Sequence, residues 1–428
     1  MSGASVDAAD RLLAGSAGTS PSPDLATHLA TYGPLTLPLR GDPDWGPQMV
    51  RAVVESGLLG RGGGAFPAGL KWDAARRGGR ASLVVVNVLE GEPASAKDRI
   101  LATYAPHLVL DGAQLLAAAC GADEILVCIP QGRDGIADAV NNALYERAVH
   151  RYAPVSEVLV RPPAGFVSGQ ESALAQWIDR GTARPVFRPD KGTPLRIGRL
   201  PALVQNTETL AHIALIARYG AALFRAQGTE EQPGTCLVTL AGAVARPGVV
   251  EVEWGTPLRD IAQRATPDEA PTALLIGGYG GTWVGPAHFA TPYGRAALGA
   301  LGIPVGVGVM VVLGPAACGL LESARIARFL ADESSGQCGP CTYGLPAIAD
   351  DLARLATGGA DSGLLTRLRR RLDEVDGRGA CGHPDGAVGM VRSALSVFAA
   401  DVIAHANGEP CAFAHNPSPL RLPGKVPA

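Results

Sequence analysis

A dense run of glycines lies at residues 60–72. Five of them fall within ten positions, namely Gly60, Gly62, Gly63, Gly64 and Gly69. Backbone N–H groups approach a phosphate closely only where no Cβ intrudes, and Arg61 and Lys71 add positive charge, so this loop indicates a phosphate-bearing cofactor. It lacks the Gly-Lys-Ser/Thr end of a Walker A loop, and it follows a predicted helix rather than the strand of a dinucleotide fingerprint. A flexible surface loop is the alternative, but the ordered Phe-Pro, Gly and Leu-Lys-Trp sequence is more specific than a linker requires.

Two more polar motifs stand where ligands commonly bind. Asn87, Glu90 and Glu92 follow the apolar run 83–86, which predicts a buried parallel strand. Ligands in open α/β sheets bind at the carboxyl ends of the strands. The second motif, at 165–174, opens a predicted helix, whose free N–H groups can meet an anion.

Cysteines offer a second kind of chemistry. Cys338 and Cys341 have Cys-x-x-Cys spacing, and Cys381 follows 40 residues later. The chain has eight cysteines, and in the absence of a secretory signal they are expected to stay reduced, so a few of them are predicted metal ligands. Four cysteines in apolar stretches are predicted to pack as small hydrophobes, namely Cys120, Cys128, Cys236 and Cys318.

The composition limits the function classes. With 428 residues, 47% of them apolar, the chain is long enough for about two to four domains. The net charge of −3 argues against general nucleic-acid binding, which usually needs a basic surface. The first 24 residues lack the pattern of a signal peptide, and the longest apolar run, near 302–314, is about half a membrane span. We therefore expect a soluble intracellular protein with no transmembrane segment of its own.

The chain divides by pattern into five segments. They are a flexible arm at 1–24, an α/β domain at 25–234, a small α+β domain at 235–315, a helical domain at 316–412 and a flexible tail at 413–428. In the α/β domain the predicted strands are 83–86, 125–129 and 157–160, and the predicted helices are 45–56, 108–119 and 135–150. Such alternation is typical of a parallel sheet covered by helices. The α+β domain has predicted strands at 236–241, 248–252 and 273–276 and a helix after Pro257, and the helical domain has predicted helices at 319–331, 345–356, 362–372 and 387–405.

These motifs together resemble one family, the NADH-binding flavoprotein subunit of respiratory complex I and its relatives in NAD-linked hydrogenases and formate dehydrogenases. The resemblance extends over about residues 30–412. It implies an α/β Rossmann-like FMN domain, a soluble-ligand-binding β-grasp domain and a C-terminal four-helix bundle with an iron–sulfur site. In such a protein the β-grasp domain is expected to serve as packing and partner surface rather than as a small-molecule site.

The resemblance also implies roles for single residues. Glu92 and Glu171 are the expected catalytic residues. The expected flavin-binding residues are Gly60, Arg61, Gly62, Gly63, Lys71, Asn87, Glu90, Phe166, Gly169, Gln170, Gln205, Asn206 and Thr207. Two positions depart from the family pattern here, because Leu89 stands in place of an aspartate and Gln170 in place of a glutamate.

The part of the sequence that resembles an NADH site departs further. Phe66 matches one of the aromatic residues that stack on the dinucleotide in the family. Ala74 and Lys191 stand where the family has other aromatic residues, and Arg188 replaces a lysine. Stacking on a ring is worth roughly 0.5–1.5 kcal/mol beyond burial, so these changes predict weaker NADH binding.

The cysteine motif lacks one ligand of the family's cubane 4Fe-4S cluster. Ser335 stands at the first ligand position, and a serine oxygen is a poorer ligand for iron–sulfur chemistry than a thiolate. Four outcomes stay open: Ser335 or His383 completes a four-iron cluster, a three-iron cluster forms, the site holds no metal, or Cys338 and Cys341 do thiol chemistry. The spacing to Cys381 and the helical context favour a cluster. Cys411, close to a C-terminal cysteine of the family, is expected to be structural.

The predicted function is that of an FMN-dependent oxidoreductase subunit passing electrons between NAD(P)H and an iron–sulfur acceptor. The alternative is an electron-transfer subunit without NADH chemistry, in which FMN carries electrons between a ferredoxin and a membrane or enzyme partner. The expected partner is an iron–sulfur protein or ferredoxin subunit of a multisubunit redox complex. The expected location is the cytoplasm, at the inner face of the membrane if partners hold it there.

Overall fold

A computed structural model describes residues 11–14, 23–37, 44–77, 83–188, 195–409 and 411–423. Lys191 and most of the predicted N-terminal arm lie outside these residues. The strands are β1 Leu83–Asn87, β2 Glu124–Cys128, β3 Ser156–Val160, β4 Leu195–Ile197, β5 Leu200–Asn206, β6 Thr235–Gly242, β7 Gly248–Glu253, β8 Ala273–Ile276, β9 Thr282–Val284 and β10 Val309–Leu313. The α-helices are α1 Leu25–Tyr32, α2 Trp45–Ser56, α3 Ala68–Arg77, α4 Lys97–Tyr104, α5 Pro106–Cys120, α6 Asp134–Val149, α7 Glu171–Arg180, α8 Thr207–Arg225, α9 Leu258–Gln263, α10 Arg295–Gly299, α11 Gly319–Asp332, α12 Leu345–Ala356, α13 Leu364–Val375, α14 His383–Val397 and α15 Ala399–Ala406. Pro286–His288 forms a short 3-10 helix and Pro340–Gly344 a π-helical turn.

The first sheet has the strand order β3-β2-β1-β5-β4. Four of its strands run parallel, and β4 pairs antiparallel with β5 at one edge. The central strand β1 is buried from Leu83 to Val86, as a continuous apolar run in a covered parallel sheet should be. At its carboxyl end Asn87 pairs with Asn206 on β5. The two asparagines therefore lie side by side at one edge of the sheet.

The second sheet has the strand order β7-β6-β10-β8-β9. Its central strand β10 runs parallel to β6 and antiparallel to β8. All five residues of β10 are buried. The apolar run near 302–314 is therefore the middle of a sheet, which explains its hydrophobicity. The sequence pattern did not predict β10 because a short, unbroken apolar run has no period of its own.

Helices α11 to α15 form the helical region at the C-terminal end. Most of their bounds agree with the predicted helices to within a few residues. The exception is the single helix predicted at 387–405, which is wrong, because α14 and α15 are two helices bent by 83°. Phe398 at the bend contacts the ring of Trp283 with 5.2 Å between centroids. Within the described residues no single helix is both long and apolar enough to cross a membrane, and only this bent pair passes on length and composition.

Parts of both predicted flexible ends pack against the rest of the chain. Leu12 is buried in the core beneath the first sheet, and its N–H donates to Glu251 Oε2 at 2.8 Å. Near the other end Leu420 is buried, and the Tyr279 hydroxyl donates to the Arg421 carbonyl at 3.2 Å. The small and polar residues of both segments indicated mobility, but one leucine in each segment, Leu12 and Leu420, is buried.

Candidate functional site

The glycine loop is closed as a hairpin between α2 and α3. The Gly60 N–H donates to the Phe66 carbonyl at 2.8 Å, and the Ala68 N–H donates to the Leu58 carbonyl at 2.9 Å. Gly69 allows α3 to pack on α2, because a Cβ there would lie 2.6 Å from the Val54 side chain. These contacts fix both ends of the loop while the glycines between them remain exposed.

Arg61 anchors the loop to the protein interior. Its N–H donates to Thr209 Oγ1 at 2.9 Å, and its guanidinium donates to the Leu59 and Thr235 carbonyls at 2.9 and 2.8 Å. The guanidinium also lies 4.9 Å from the ring centroid of Trp254. The charged end of Arg61 is thus directed into the chain, and what the loop offers to a ligand is mainly backbone.

The carboxyl ends of β1 and β5 are tied to the segments around them. Asn87 Nδ2 donates to the Gly169 carbonyl at 2.8 Å, and its Oδ1 accepts the Leu89 N–H at 3.1 Å. The Thr207 hydroxyl donates to the Asn87 carbonyl at 2.9 Å. Asn206 caps α8, because its Oδ1 accepts the Glu208 N–H at 3.0 Å.

A buried ionic network lies beneath these strand ends. Lys97 Nζ lies 2.8 Å from Asp98 Oδ1 and 3.0 Å from Glu208 Oε2, and all three side chains are buried. Burial alone would lower the pKa of Lys97, but the carboxylates of Asp98 and Glu208 raise it above its ordinary value. Asn206 Nδ2 donates to Asp98 Oδ2 at 2.8 Å, so the network also positions this asparagine.

Glu90 and Glu92 occupy different environments on the loop after β1. Glu90 accepts hydrogen bonds from the Ser95 hydroxyl and from the Asp98 N–H, the latter at 3.1 Å. Glu92 is buried, and its carboxylate accepts the Tyr279 N–H at 2.8 Å. Burial raises the pKa of Glu92 to about 7, although the backbone hydrogen bonds work against that shift. Glu92 can therefore change its protonation near neutral pH, and burial also raises the pKa of Asp98, to about 6.

Helix α7 begins at the same edge of the sheet. Gln170 caps it, with Oε1 accepting the N–H groups of Ser172 and Ala173, both at 2.9 Å. Glu171 in the first turn pairs with Lys71, whose Nζ also donates to the Val204 carbonyl at 2.7 Å. The amide of Gln170 thus serves the helix end, and the carboxylate of Glu171 is paired with the cation of the glycine loop.

These segments enclose one cavity of about 460 Å³, within the range of roughly 300–1,000 Å³ usual for ligand clefts. Ten of the predicted site residues line it, together with Cys381: Arg61, Gly62, Gly63, Asn87, Glu90, Glu92, Phe166, Gly169, Gln170 and Asn206. Five others do not line it: Lys71 pairs with Glu171, and the remaining four each adjoin a lining residue in sequence, namely Gly60, Glu171, Gln205 and Thr207. The cavity therefore brings together motifs that are about 320 residues apart in the chain (Cys381 and Arg61, by their numbers).

Four glycines at this site leave room either for a neighbouring segment or for a ligand. A Cβ on Gly91 would lie 2.3 Å from the Phe166 carbonyl oxygen, and one on Gly169 would lie 2.4 Å from the Leu89 carbonyl oxygen. At Gly62, by contrast, a Cβ would meet only Asn206 Cβ at 3.5 Å, and at Gly64 it would meet nothing within 4 Å. The first two glycines allow the walls to approach each other, whereas the last two face open space.

The three predicted cluster cysteines come from two segments that face each other. Cys338 lies just before the π-helical turn, Cys341 lies within it, and Cys381 lies just before α14. The pKa of Cys341 is raised to about 12, mainly by burial, with contributions from Cys338 and a smaller one from Cys381. Burial likewise raises the pKa of Cys381, to which Cys338 contributes. The three thiols are thus close enough to influence one another. The half-buried Ser335 precedes them on the same loop.

His383, the other candidate fourth ligand, has one ring nitrogen engaged. Its Nε2 donates to the Leu330 carbonyl at 2.8 Å. Its ring meets that of Phe166 edge-on, with 5.2 Å between centroids. Nδ1 is buried and has no hydrogen-bond partner among the described residues. His383 can therefore offer a metal only Nδ1.

Comparison with known proteins gives family matches for two regions of the chain. The family model described as the Nuo51 FMN-binding domain matches residues 53–215, and the one described as the NADH-ubiquinone oxidoreductase-F iron-sulfur binding region matches residues 322–405. One NADH-quinone oxidoreductase subunit of Rhizobium meliloti is 30% identical over 380 residues, which cover 86% of this chain and 90% of that protein. The chain belongs to this family. The corresponding protein of Mycobacterium bovis is 28% identical over 382 residues, covering 85% of this chain and 86% of that one.

Solved structures with the same fold come from a hydrogenase. The crystal structure of an NAD⁺-reducing NiFe hydrogenase in the H₂-reduced state matches with a TM-score of 0.78 at 30% identity. The match covers 84% of this chain, whereas this chain spans 63% of that hydrogenase chain. The air-oxidised state of the same kind of enzyme gives a TM-score of 0.77. The resemblance inferred from the motifs is confirmed, and so is a mixed α/β fold of this family.

The sequence did not reveal what the second sheet contributes to the cavity. Gly277, Gly280, Gly281, Gly306 and Val307 line it, although this region was expected to supply only packing and partner surface. The signal was present in the Gly-Gly-Tyr-Gly-Gly sequence at 277–281, which is as dense in glycine as the first loop. Lys97, Asp98 and Glu208 were also missed as a group, because nothing in the sequence shows that they meet.

The predicted NADH contacts lie at the surface. Phe66 is 58% exposed, and Phe187 next to Arg188 is 66% exposed. Ala74 is exposed on α3. Two exposed rings therefore flank the region expected to bind a dinucleotide, and the position of Ala74 contributes none.

Proposed function

We propose that this chain is an FMN-dependent oxidoreductase subunit that passes electrons between NAD(P)H and an iron–sulfur acceptor. The observation that carries the proposal is that the cavity beside the glycine loop is also lined by Cys381. A cofactor in this cavity would contact a phosphate-binding loop on one side and a cluster cysteine on the other. This arrangement suits electron transfer over a short distance.

The residues around the cavity fit FMN in chemistry as well as in volume. The exposed faces at Gly62 and Gly64 leave room for a phosphate against the backbone. The capped amino ends of α7 and α8 reach the same cavity, and a helix amino end favours an anion. Asn87, Glu90, Asn206 and the wall residue Phe166 would hold the rest of the molecule.

The finer architecture is also a proposal. The first sheet with its helices, about residues 25–234, would be a Rossmann-like FMN domain. The second sheet, at 235–315, has the mixed pairing expected of a β-grasp domain. The helices at 316–412 would form the iron–sulfur domain, as a bundle in which α14 and α15 replace the one long predicted helix.

The chain's own residues would bind, orient and shield the cofactor. Flavin, when bound, supplies the ability to accept a hydride and to pass electrons on singly. Asn87 and Asn206 are fixed by hydrogen bonds to Gly169 and Asp98, so they would orient it without rearranging. Glu92 would hold a proton on its buried carboxyl below about pH 7 and lose it above. Glu171, paired with Lys71, would set the charge at the mouth of the site.

For the metal site we propose that Cys338, Cys341 and Cys381 supply three thiolates, with Ser335 in the fourth position. Thiolates are the usual ligands of iron–sulfur clusters. His383 is the weaker candidate for the fourth position, because Nε2 already donates to the Leu330 carbonyl. A cluster held by these residues would be the first acceptor of single electrons from the cavity.

The wider setting follows from the relatives. The matched proteins of Rhizobium meliloti and Mycobacterium bovis are named as subunits of NADH-quinone oxidoreductases. By analogy this chain would work in a multisubunit redox complex, with an iron–sulfur or ferredoxin-like subunit as its partner. Its place would be the cytoplasmic side of the membrane.

A second function, electron transfer without NADH chemistry, is favoured by two observations. Ala74 leaves no ring on the exposed surface of α3. The neutral Gln170 has its oxygen occupied by α7, where the family has an acid. If these changes abolish dinucleotide binding, a ferredoxin would be the electron donor or acceptor on the flavin side.

The proposal is tested by reducing the full-length protein after anaerobic reconstitution with FMN, iron and sulfide. NADH or NADPH should bleach the flavin absorbance, and Phe66→Ala should weaken this reaction about two- to tenfold, by the roughly 0.5–1.5 kcal/mol of a lost stacking contact. The matched control is Tyr145→Ala, which removes an exposed ring on α6, and it should have no effect on this reaction. If neither nucleotide bleaches the flavin but reduced ferredoxin does, the second function is correct and the first is wrong.

A further inference from the structure

Three metal-ligating side chains meet on the C-terminal side of the helical region, outside the sites described above. They are Cys318 at the amino end of α11, His405 near the end of α15, and Cys411 just beyond it. One ligand atom from each lies within 4.8 Å of the other two. Within the described residues, no other group of three or more histidine, cysteine or acidic side chains brings its ligand atoms within 4.8 Å of one another.

The group is enclosed by the protein. Cys318 is 4% exposed and His405 is 5% exposed, while Cys411 is half-buried. Nδ1 of His405 is buried and has no hydrogen-bond partner among the described residues. A buried polar atom without a partner costs about 1–3 kcal/mol, so such an atom in a native protein usually has a partner, which can be a water molecule or an ion.

The surroundings of the group favour a bound cation. Asp401 stands one helical turn before His405 and adds negative charge. Cys318 caps α11, and its sulfur accepts the Leu321 N–H at 3.5 Å. A helix amino end stabilises a thiolate, and a bound metal ion would supply the positive charge that this group of ligands lacks.

We infer that Cys318, His405 and Cys411 bind a single Zn²⁺ ion, with water in the fourth position. Tetrahedral zinc holds sulfur at about 2.3 Å and nitrogen at about 2.0–2.1 Å, which puts its ligand atoms about 3.3–3.8 Å apart. Three atoms within 4.8 Å of one another need only a small shift to reach that spacing. Binding would release one proton from each thiol as both become thiolates.

A single ion suits this group better than an iron–sulfur cluster. A cluster spreads its thiolates over several irons, so its ligands lie farther apart than those of one ion. The thiols of Cys338, Cys341 and Cys381 influence one another but are not within 4.8 Å as a group. Two thiolates and an imidazole are a usual zinc donor set. The inference therefore gives the chain two metal sites of different chemistry.

The proposed ion would fix the end of the chain. After Cys411, Asn416 Nδ2 donates to the Ala316 carbonyl at 2.8 Å, and the Ser418 hydroxyl donates to Glu322. Leu420 is then buried. Zinc between Cys318 and Cys411 would tie the amino end of α11 to this last segment. Cys318 and Cys411, which the sequence suggested were packing or structural residues, would be ligands.

The test measures the binding of Co²⁺ to full-length protein whose iron–sulfur site has been loaded with iron. Co²⁺ replaces Zn²⁺ and absorbs visible light when thiolates bind it. The chain should take up one equivalent of Co²⁺ per molecule with a thiolate absorption band. Cys411→Ser should lose that equivalent, whereas Cys236→Ser, which removes a buried cysteine elsewhere, should keep it. Equal cobalt uptake by the unaltered protein and Cys411→Ser would overturn the inference.

A second measurement needs no variant and so does not depend on how Cys411→Ser folds. Alkylation of Cys411, read by peptide mass spectrometry, should slow by about tenfold or more when Zn²⁺ is added to the iron-loaded protein, because a coordinated thiolate is protected. No protection, or a Cys318–Cys411 disulfide in anaerobically purified protein, would contradict a zinc site. Neither measurement involves the flavin, so this inference can fail while the proposed function stands.

Discussion

The flavin cavity and the cysteine loop, meaning residues 335–341 with Cys338 and Cys341, both adjoin Cys381. The two regions differ in how firmly the rest of the chain holds them. At the cavity Asn87 and Asn206 are fixed by hydrogen bonds to other segments, above a buried ionic network. On the cysteine loop Cys338 is half-buried, and Tyr343 in the following turn is 77% exposed. The cavity residues are thus held by buried hydrogen bonds and ion pairs, whereas the loop is more exposed, apart from the buried Cys341.

This difference fits one departure from the family, the serine at position 335, whereas Leu89 and Gln170 are departures in the wall of the cavity itself. Replacing Asn206 or Asp98 would leave buried partners unsatisfied, so substitution there destabilises the whole fold. Ser335 lies on the loop, where a cysteine can be exchanged for a serine at little cost to stability. We therefore expect the loss of a buried partner beneath the cavity to act on stability, and a change at Ser335 to act on the metal.

The largest effect should come from Lys97→Met. It leaves the buried carboxylates of Asp98 and Glu208 without their cation, which should lower the free energy of unfolding by about 3–5 kcal/mol. Arg328→Met, which breaks an exposed pair with Asp350, should cost no more than about 1 kcal/mol. Urea unfolding of the apoprotein measures both. If the two variants cost the same, the cavity is no more tightly held than the surface.

The next effect concerns Glu92 and depends on pH. Its pKa in the folded chain is about 7 against an ordinary 4.5, so the folded state keeps the proton to higher pH than the unfolded chain. Stability present below about pH 4.5 is then lost as the pH rises through 7, by up to about 3 kcal/mol. Because glutamine has no carboxyl to titrate, the free energy of unfolding of Glu92→Gln should not fall in this way.

The measurement is the free energy of unfolding of the apoprotein at about pH 5 and about pH 8. The stability of Glu92→Gln relative to the unaltered chain should rise by roughly 2–3 kcal/mol between the two. Glu269→Gln, at an exposed position, is the control and should show no such change. A parallel response of all three proteins would mean that Glu92 is not buried as described.

On the loop, Ser335→Cys should change the metal and leave stability alone. A fourth thiolate should bring the iron content of reconstituted protein to about four per chain and give the spectrum of a 4Fe-4S cluster. Ser334→Cys, one position earlier, is the matched control and should give the iron content of the unaltered protein. If neither variant changes the iron content or the cluster spectrum, or if both variants change them alike, Ser335 does not face the cluster.

The smallest effect should come from Ala74→Phe. A ring on the exposed face of α3 would restore one stacking surface and tighten NADH binding by about two- to tenfold, from roughly 0.5–1.5 kcal/mol. Ala222→Phe, exposed near the carboxyl end of α8, controls for a new surface ring. Titration of the FMN-loaded protein with NADH gives both affinities. Unchanged binding in Ala74→Phe would place the dinucleotide elsewhere.

Local patterns in the sequence predicted much of this molecule. Strand β1 was predicted from its unbroken apolar run, and α2 was predicted with the bounds Trp45–Ser56. The motif around Asn87 was expected at a strand end, and it lies there. Each of these features depends on residues within about ten positions, where hydrophobic period and glycine content carry the information.

Features that depend on distant contacts could not be read in this way. The bend at Phe398 arises from packing against Trp283, about 115 residues earlier in the chain. Lys97 and Glu208, or Cys318 and Cys411, are ordinary residues in the sequence and acquire a role only where the fold brings them together. The contribution of the second sheet to the cavity was missed for the same reason, although its glycines were visible.

The central claim is that FMN binds in the cavity with its phosphate against the glycine loop, and one titration tests it directly. Gly62→Ala fits the apoprotein, because its Cβ would meet only Asn206 Cβ at an ordinary 3.5 Å, but it would intrude on a phosphate held by the loop. We predict FMN affinity at least about tenfold lower, or roughly 1.4 kcal/mol, in calorimetric titration. Gly135→Ala, where a Cβ meets nothing within 4 Å, should bind FMN like the unaltered chain. Equal affinity in all three proteins, or no FMN binding by the unaltered chain, would contradict the claim.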